Sequence, residues 1–421
     1  MSSLSPERSD KLPLVVLVLA AGTFLMGTTE FVIAGLLPEM AGDLGVSVSR
    51  AGLLITAFAV GMIVGAPLMT IATLRLPQRS TLVLALLVFS LGHVIAALSS
   101  SFTVLLAARM VTALATGAFW SVGAVVATTA AGPAARSRAM GVMIGGLTVA
   151  NVIGVPVGSW VGQFAGWRGP FWALAALSAA AATVIGRFIP AAPQNRSAPS
   201  LRAEFSALRQ GRLWLALSAA ALIMGGVMAT YSYISPLLTE RAGIPAAAVP
   251  VVLIGFGVGA LAGTTTGGRL GDRRPMATTI TAAAAATLVL LLLIPLSTSA
   301  AATVVLVVLM GWTGFAVNPV VTALAMRFAG SAPTLTAALS TSAFNVGIAL
   351  GSSAAGIALN STLGPTGPAL VGTVVAALTL VPLIALAVTP RPGSGRSLVV
   401  QQGTTAGQDS PRDTRSRHSA V

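Results

Sequence analysis

Two ionisable residues stand deep inside apolar stretches: Glu30, in the run from Pro13 to Leu37, and Arg109, in the run from Phe102 to Thr129. The other acidic residues fall in polar segments or at the ends of apolar runs. An ionised carboxylate in hydrocarbon costs at least several kcal/mol, so such a group faces a cavity, carries a proton or has a partner. Burial favours the neutral carboxyl and a nearby cation the ionised one, which suits Glu30 to loading and releasing a proton. Read as membrane-crossing helices, the two runs place Glu30 eight residues before Pro38 and Arg109 seven after Phe102. Both then sit roughly 10 to 12 Å below one boundary, and a direct or water-bridged pair serving proton coupling is expected. A static pair that orients two helices fits the same residues, as does a carboxylate that holds a cationic or hydroxyl-bearing substrate.

Other chemistry is poorly provided for. With no cysteine, disulfides, thiol catalysis and thiolate metal sites are excluded, and two histidines, His93 and His418, are too few for a histidine metal cluster. No metal or cofactor is expected. His93, near the end of its apolar run, reads as structural. No histidine, cysteine or second acid lies near Glu30 to complete a catalytic set, which argues against an enzyme. No nucleotide-binding loop of Walker type occurs, so an ion gradient must supply any energy for transport. No soluble sensory or output domain is present to make a receptor.

The elements that must position these residues follow from composition. In 421 residues, 55% are apolar and 8% charged, too little polar surface for a soluble globule, so lipid is the main solvent. The net charge of +14 does not point to nucleic acid, because the basic residues lie between apolar runs and not on one face. Twelve stretches of about 20 apolar residues, each enough to cross a bilayer core, run from Pro13 to Leu37, Ala51 to Leu74, Thr81 to Leu98, Phe102 to Thr129, Ala139 to Phe164 and Pro170 to Ile189. After a polar interval they continue from Leu213 to Leu238, Val249 to Gly268, Met276 to Leu296, Ala301 to Met326, Pro333 to Ala358 and Pro368 to Thr389. The first run is too long for a signal peptide and reads as a retained helix.

The basic residues test this count. With both termini in the cytoplasm, the cytoplasmic segments hold twenty Arg and Lys and the outer loops only Arg50, Arg168 and Arg241. One helix missed or invented would invert every later loop. The expected fold is an all-α membrane protein of twelve transmembrane helices in two pseudo-symmetric six-helix bundles. Residues 1–12 form a cytoplasmic segment, 13–189 and 213–389 the bundles, 190–212 a cytoplasmic linker and 390–421 a disordered tail. In the linker, Leu201, Phe205 and Leu208 at helical spacing beside Arg202, Arg209 and Arg212 suit either a helix lying on the anionic inner leaflet or a plain solvated segment. Abundant Ala and Gly, with one Lys against twenty-three Arg, suit a GC-rich bacterial genome and hence the bacterial plasma membrane.

Several motifs carry a family resemblance. GRLGDRR, Gly268 to Arg274, resembles the signature loop of the major facilitator superfamily. The corresponding TIATLRLPQR, Thr70 to Arg79, keeps Arg75 and Arg79 but has Leu74 where the family has Asp. TEFVIAGLLPEMAGDLGVS from Thr29, AFAVGMIVGAP from Ala57, AARMVTALATGAFW from Ala107 and NVIGVPVGSWVGQFAGWR from Asn151 resemble the drug and sugar efflux branch. More narrowly, they resemble the arabinose-efflux-like transporters and the actinobacterial chloramphenicol exporters. The resemblance covers all but the tail and implies a proton antiporter that exports a small amphipathic compound, such as chloramphenicol or a related drug, by alternating access. A sugar or nucleoside exporter is the alternative. It also implies a cytoplasmic gate of Asp272, Arg273, Arg274, Arg75 and Arg79, and proton coupling through Arg109.

Gly141, Gly145, Gly154, Gly158 and Gly162 recur at four-residue spacing or a near multiple of it in the fifth run and permit close helix approach. With Pro156 they resemble the family's antiporter motif, although Val155 and Ser159 replace its usual glycines. Asn345, Gly347 and Gly351 form a shorter counterpart in the eleventh run, as two repeated halves would give. By the resemblance these helices meet across the halves. A pocket for an amphipathic solute needs some polar and aromatic groups near mid-membrane, and the candidates are Asn151, Phe119, Trp120, Tyr231, Tyr233, Trp312, Asn318 and Asn345. The expected partners are a small-molecule substrate, protons and lipid, with the protein a monomer because each half supplies the other's pseudo-symmetric partner.

Overall fold

The computed structural model describes residues 12–73, 76–132, 135–189, 207–329 and 333–389. Arg75, most of the linker, the first residues and the tail lie outside these. Among the described residues, twelve helices are long and apolar enough to cross a membrane, the number expected from the sequence. They are α1 Leu14–Phe31, α2 Val48–Ala72, α3 Gln78–Leu98, α4 Phe102–Ala131, α5 Arg136–Ala165 and α6 Arg168–Phe188, then α7 Gly211–Ser232, α8 Val249–Arg273, α9 Pro275–Leu296, α10 Ala300–Ala329, α11 Pro333–Leu359 and α12 Gly367–Leu378 with Leu380–Val388. Leucines such as Leu84, Leu91 and Leu98 of α3 are exposed at seven-residue spacing, a lipid-facing stripe.

Local chemistry sets the boundaries. The Ser47 hydroxyl caps α2 by accepting from the Arg50 N–H. Glycines in left-handed conformation end α4 at Gly132 (φ 73°) and α5 at Gly166 (φ 70°). The first span runs past its expected end: after a break at Val32 a second helix, Ile33–Asp43, carries it on with Pro38 inside. Glu30 therefore lies 13 residues before the end of that helix, about 20 Å at 1.5 Å per residue. The acidic and basic motif at Gly268 to Arg274, expected as a short turn, is instead largely the last turns of α8. Gly267 and Gly271 let that helix lie against Ala316 and Val320 of α10, leaving Arg274 as the joint.

Within α5, Pro156 has no N–H to offer, and a π-helical segment, Ala150–Gly154, immediately precedes it, with the Val155 N–H bonded to Ala150. Such widened turns occur mostly as single inserts in α-helices. The glycine stripes of α5 and α11 pack inside their own halves, while other faces of the same two helices meet the opposite half. A Cβ at Gly154, Gly158 or Gly162 would strike Thr28, Val32 or Leu36 on the first span, and one at Gly347 or Gly351 the backbone of Ala221 or Gly225 on α7. Gly141 and Gly145 face open space. Across the halves, α5 meets α8, where Gly257 lies against the backbone of Asn151 and Val152. By the same pseudo-symmetry α11 meets α2.

The described ends of the first and last spans, Leu14 and Val388, share one face of the bundle with Arg79, Arg136, Arg273 and Arg327, the basic face; the opposite one is the far face. Toward the far face one core joins both halves, with Ile33, Leu36 and Leu54 packed with Leu237, Leu253 and Phe256. Toward the basic face the cores separate, one around Leu82, Phe119 and Met143 and another around Leu213, Leu324 and Leu386.

A methyl group at Gly347 has no room beside the Ala221 carbonyl oxygen. Gly347→Ala is expected to destabilise the protein by about 1–3 kcal/mol, seen as a lower Tm in detergent. Gly145→Ala, in open space, is expected to be neutral or to gain up to about 1 kcal/mol in its helix. An unchanged Tm for Gly347→Ala contradicts the close α7–α11 approach.

Candidate functional site

Arg109 lies on α4 and is 2% exposed. Its Nε donates to the Leu54 carbonyl at 3.3 Å, and its Nη1 donates at 3.0 Å to both the Thr29 carbonyl and the Thr29 hydroxyl. The guanidinium lies 4.3 Å from the centre of the Phe58 ring, a cation–π contact. Nη2 has no hydrogen-bond partner, so the group keeps that nitrogen's two N–H donors unspent.

His93 completes this network and is more than structural filling. Its Nδ1 lies 2.8 Å from the Phe89 carbonyl and its Nε2 lies 2.7 Å from the Thr29 hydroxyl. A carbonyl oxygen only accepts, so Nδ1 carries the proton and Nε2 accepts from Thr29. The Thr29 oxygen, its proton given to His93, then accepts from Arg109. Three helices, α1, α3 and α4, are tied by one hydroxyl.

Of the direct or water-bridged pair expected of Glu30 and Arg109, the direct ion pair is not formed; among the described residues the one ion pair is Arg168 with Asp43. Arg109 is held instead by Leu54 and by the neighbour of Glu30, and it acts on Glu30 only through space. Glu30 faces a cavity of about 10 Å³ between the halves, the size of one water site, lined by Phe31, Ile55 and Phe58 from one half and Met228, Tyr231 and Asn345 from the other. Asn345 is 3% exposed; its Nδ2 donates to the Thr341 carbonyl and its Oδ1 has no partner.

A second cavity, of about 520 Å³, lies nearer the basic face among α2, α4, α5 and α11, walled by residues that include Met62, Thr70, Trp120, Ser121, Thr128, Met140 and Thr341. The two are stacked. Along α2, Ile55, Phe58 and Ala59 line the upper one and Met62, Ala66 and Thr70 the lower; along α11, Ile348 and Asn345 precede Thr341, Ala338 and Ala337 in the same order. Between them the Ser342 hydroxyl donates to the Ile63 carbonyl at 2.9 Å. Above that level the halves are joined by Ser49 Oγ to the Gly356 carbonyl at 2.7 Å, Thr56 with Ser352 at 2.9 Å, and Gln163 Nε2 to the Ala246 carbonyl at 2.7 Å. Below it no hydrogen bond crosses between the halves among the described residues.

On the far face, Asp43 accepts from the Trp167 indole at 3.1 Å and from Arg168, whose Nη2 also reaches the Ser99 carbonyl. Those bonds, the Arg168 one first, hold the Asp43 carboxyl below its usual range. Burial raises that of Glu39.

Of the eight pocket candidates, Tyr231 and Asn345 line the upper cavity and Trp120 the lower. Neither cavity is lined by the other five. Phe119 is fully buried against Gly22, and Tyr233 is packed on Gly52 at the far face, its hydroxyl donating to the Ser49 carbonyl. The Asn151 backbone lies against Gly257 of α8, Trp312 is 44% exposed with its indole donating to Thr266, and Asn318 has a buried, unpartnered Oδ1. Asp272, Arg273 and Arg274 are exposed, and the one ion pair of the described residues does not include them or Arg79. Sequence reasoning missed Thr29 and the wall hydroxyls. A signal existed in α4, where Gly117, Ser121, Val125 and Thr128 recur at helical spacing beside Trp120.

Comparison with known proteins places these features. A profile of the Major Facilitator Superfamily matches residues 19–352. The chain is similar to a chloramphenicol resistance protein of Streptomyces lividans, 38% identical over 360 residues, covering 85% of this chain and 92% of the relative. It is 34% identical to the inner membrane transport protein YdhP of Escherichia coli K12 over 87% of this chain and 94% of that one. Among solved structures, a bacterial homolog of the human lysosomal transporter Spinster, inward-facing and unoccupied, superposes with a TM-score of 0.69 at 17% identity, covering 89% of this chain and 94% of that one.

The Thr29 hydroxyl needs its buried acceptor. His93→Phe keeps the ring shape but removes that acceptor, and a stability loss of about 1–3 kcal/mol is expected, measured by thermal unfolding in detergent. A Tm equal to the wild type's contradicts the network.

Proposed function

The chain belongs to the major facilitator superfamily, a transporter family and not an enzyme family, and from that premise we propose that it is a proton-coupled exporter of a small amphipathic compound. Chloramphenicol or a related drug is the first candidate, supported by the relative named for chloramphenicol resistance. The carrying observation is Glu30, a carboxyl in mid-bundle without an ion-pair partner, facing a cavity to which both halves contribute. A substrate cavity walled by Trp120 and two methionines favours an amphipathic solute over a sugar.

In this reading the basic face is cytoplasmic and the conformation is inward-facing, with the far face sealed by the shared core. Glu30 takes a proton when the far face is open. It gives it up to the cytoplasm from the present state, and the free Nη2 of Arg109 is at hand to hold the ionised carboxylate. Loss of the proton weakens the sealed state and substrate loading below favours turnover to the outward state. There Asp272, Arg273, Arg274, Arg75 and Arg79 close the basic face, which explains why Asp272 is exposed here. Pro156 and the π segment give α5 a joint where it meets α8, with Gly154 and Gly158 keeping it against the first span. The protein works as a monomer in the plasma membrane, both termini cytoplasmic.

The test is Glu30→Gln in everted vesicles. Chloramphenicol uptake driven by an imposed pH gradient is expected to fall at least about tenfold, the effect of removing an intramembrane proton carrier, while substrate counterflow without a gradient persists. Gradient-driven uptake at the wild-type rate rules out Glu30 as the carrier.

A further inference from the structure

The larger cavity holds information about its ligand in the direction of its hydrogen bonds. Its wall, among the described residues, contains no ionisable side chain. It does contain four hydroxyls, each within hydrogen-bond distance of a carbonyl of its own helix. Thr70 donates to Ala66 at 2.6 Å, Ser121 to Gly117 at 2.8 Å, Thr128 to Ala124 at 2.8 Å and Thr341 to Ala337 at 3.2 Å. Such back-bonding is ordinary for Ser and Thr in helices. Two of the four are also in contact with each other: Thr70 Oγ1 and Ser121 Oγ are 2.7 Å apart. Those two groups have two protons for three close contacts, so neither has one left for a ligand. What this pair presents to the cavity is lone pairs. The Trp120 indole is the one side-chain N–H on the wall.

We infer that this cavity selects uncharged solutes that carry a hydroxyl hydrogen-bond donor on an aromatic or otherwise apolar body, and that Thr70 and Ser121 together form the acceptor that reads that hydroxyl. An anion meets lone pairs, and neither an anion nor a cation finds a counter-charge, so each would give up hydration without recompense. An ether or ester in place of a hydroxyl leaves the acceptor pair facing another acceptor. The volume, about 520 Å³, is that of a drug-sized site, and Trp120, Met62 and Met140 supply the flat and adaptable apolar surface an aromatic body packs against. The carboxyl at Glu30 lies above the Ser342–Ile63 bond and outside this wall, so the substrate's charge is not prescribed by the proton site.

This inference rests on the exporter reading, and its experiment is chosen to fail separately. Four compounds built on one skeleton are titrated by calorimetry into the purified full-length protein: chloramphenicol, its di-O-methyl ether, its anionic hemisuccinate ester and the cationic amine left by removing its acyl group. Chloramphenicol is expected to bind at least about tenfold more tightly than the other three, as expected when a donor to a buried acceptor is lost. Ser121→Ala and Thr70→Val are expected to weaken chloramphenicol binding several-fold and to leave ether binding unchanged, which loss of cavity shape alone would not do. Equal binding of chloramphenicol and its ether overturns the donor requirement. Equal binding of the ester or the amine overturns the neutral wall, and no binding of any of the four overturns the assignment of the cavity to this class. Each result is independent of whether Glu30→Gln keeps its proton coupling, so the cavity reading and the coupling reading stand or fall apart.

Discussion

A guanidinium held out of water must have its donors answered by the protein, because it does not shed its charge. Arg109 meets this demand with the carbonyls of Thr29 and Leu54, the Thr29 hydroxyl and the face of Phe58. That fixes α1, α2 and α4 relative to one another, and His93 extends the tie to α3 by taking the hydroxyl proton. Because Arg109 is spent on the backbone beside Glu30 and not on Glu30, the carboxyl is left without a fixed ion-pair partner. A carboxyl in permanent register with an arginine would be a structural pair. One held a short distance from it, with one guanidinium nitrogen unspent, retains two states.

The rest of the molecule arranges access to that carboxyl. A single apolar core shared by both halves closes the far face, and cross-half bonds from Ser49, Thr56 and Gln163 lie in the same region. The basic-face cores belong to one half each, so the halves can separate there without exposing a common core. The cavity beside Glu30 and the larger cavity are stacked along α2 and α11, helices that meet across the pseudo-symmetric interface, with the Ser342–Ile63 bond between them. Movement of these two helices therefore changes both cavities together, which under the proposed function is a physical route for coupling without direct contact between proton and substrate.

The fold was legible because lipid imposes a length on every apolar run and an alternation on every basic loop. The twelve spans, the two halves and Glu30 and Arg109 as the charges of interest follow from those two rules. The site was legible only in part. Of the direct or water-bridged Glu30–Arg109 pair, the direct form is not made, because sequence depth says nothing about which nearby carbonyls will claim a guanidinium, and Thr29, adjacent to Glu30, claims this one. The glycine stripes identified faces that pack closely but not their partners, which are the first helix of each half. Trp312 is of pocket type but bonds Thr266 instead, since a helix position does not by itself give an azimuth toward the cavity. Hydroxyls that line a cavity look like ordinary helix filling until their carbonyl partners are known.

The central claim, that Glu30 gives up a proton when substrate is taken from the basic face, is tested most directly by proton release. Purified protein in weakly buffered detergent solution is mixed with saturating chloramphenicol and the pH followed. The wild type is expected to release protons, approaching about one per substrate bound where Glu30 starts protonated, and Glu30→Gln to bind and release none. Equal release from both proteins, or substrate binding by the wild type with no proton released across the pH range of its activity, contradicts the account.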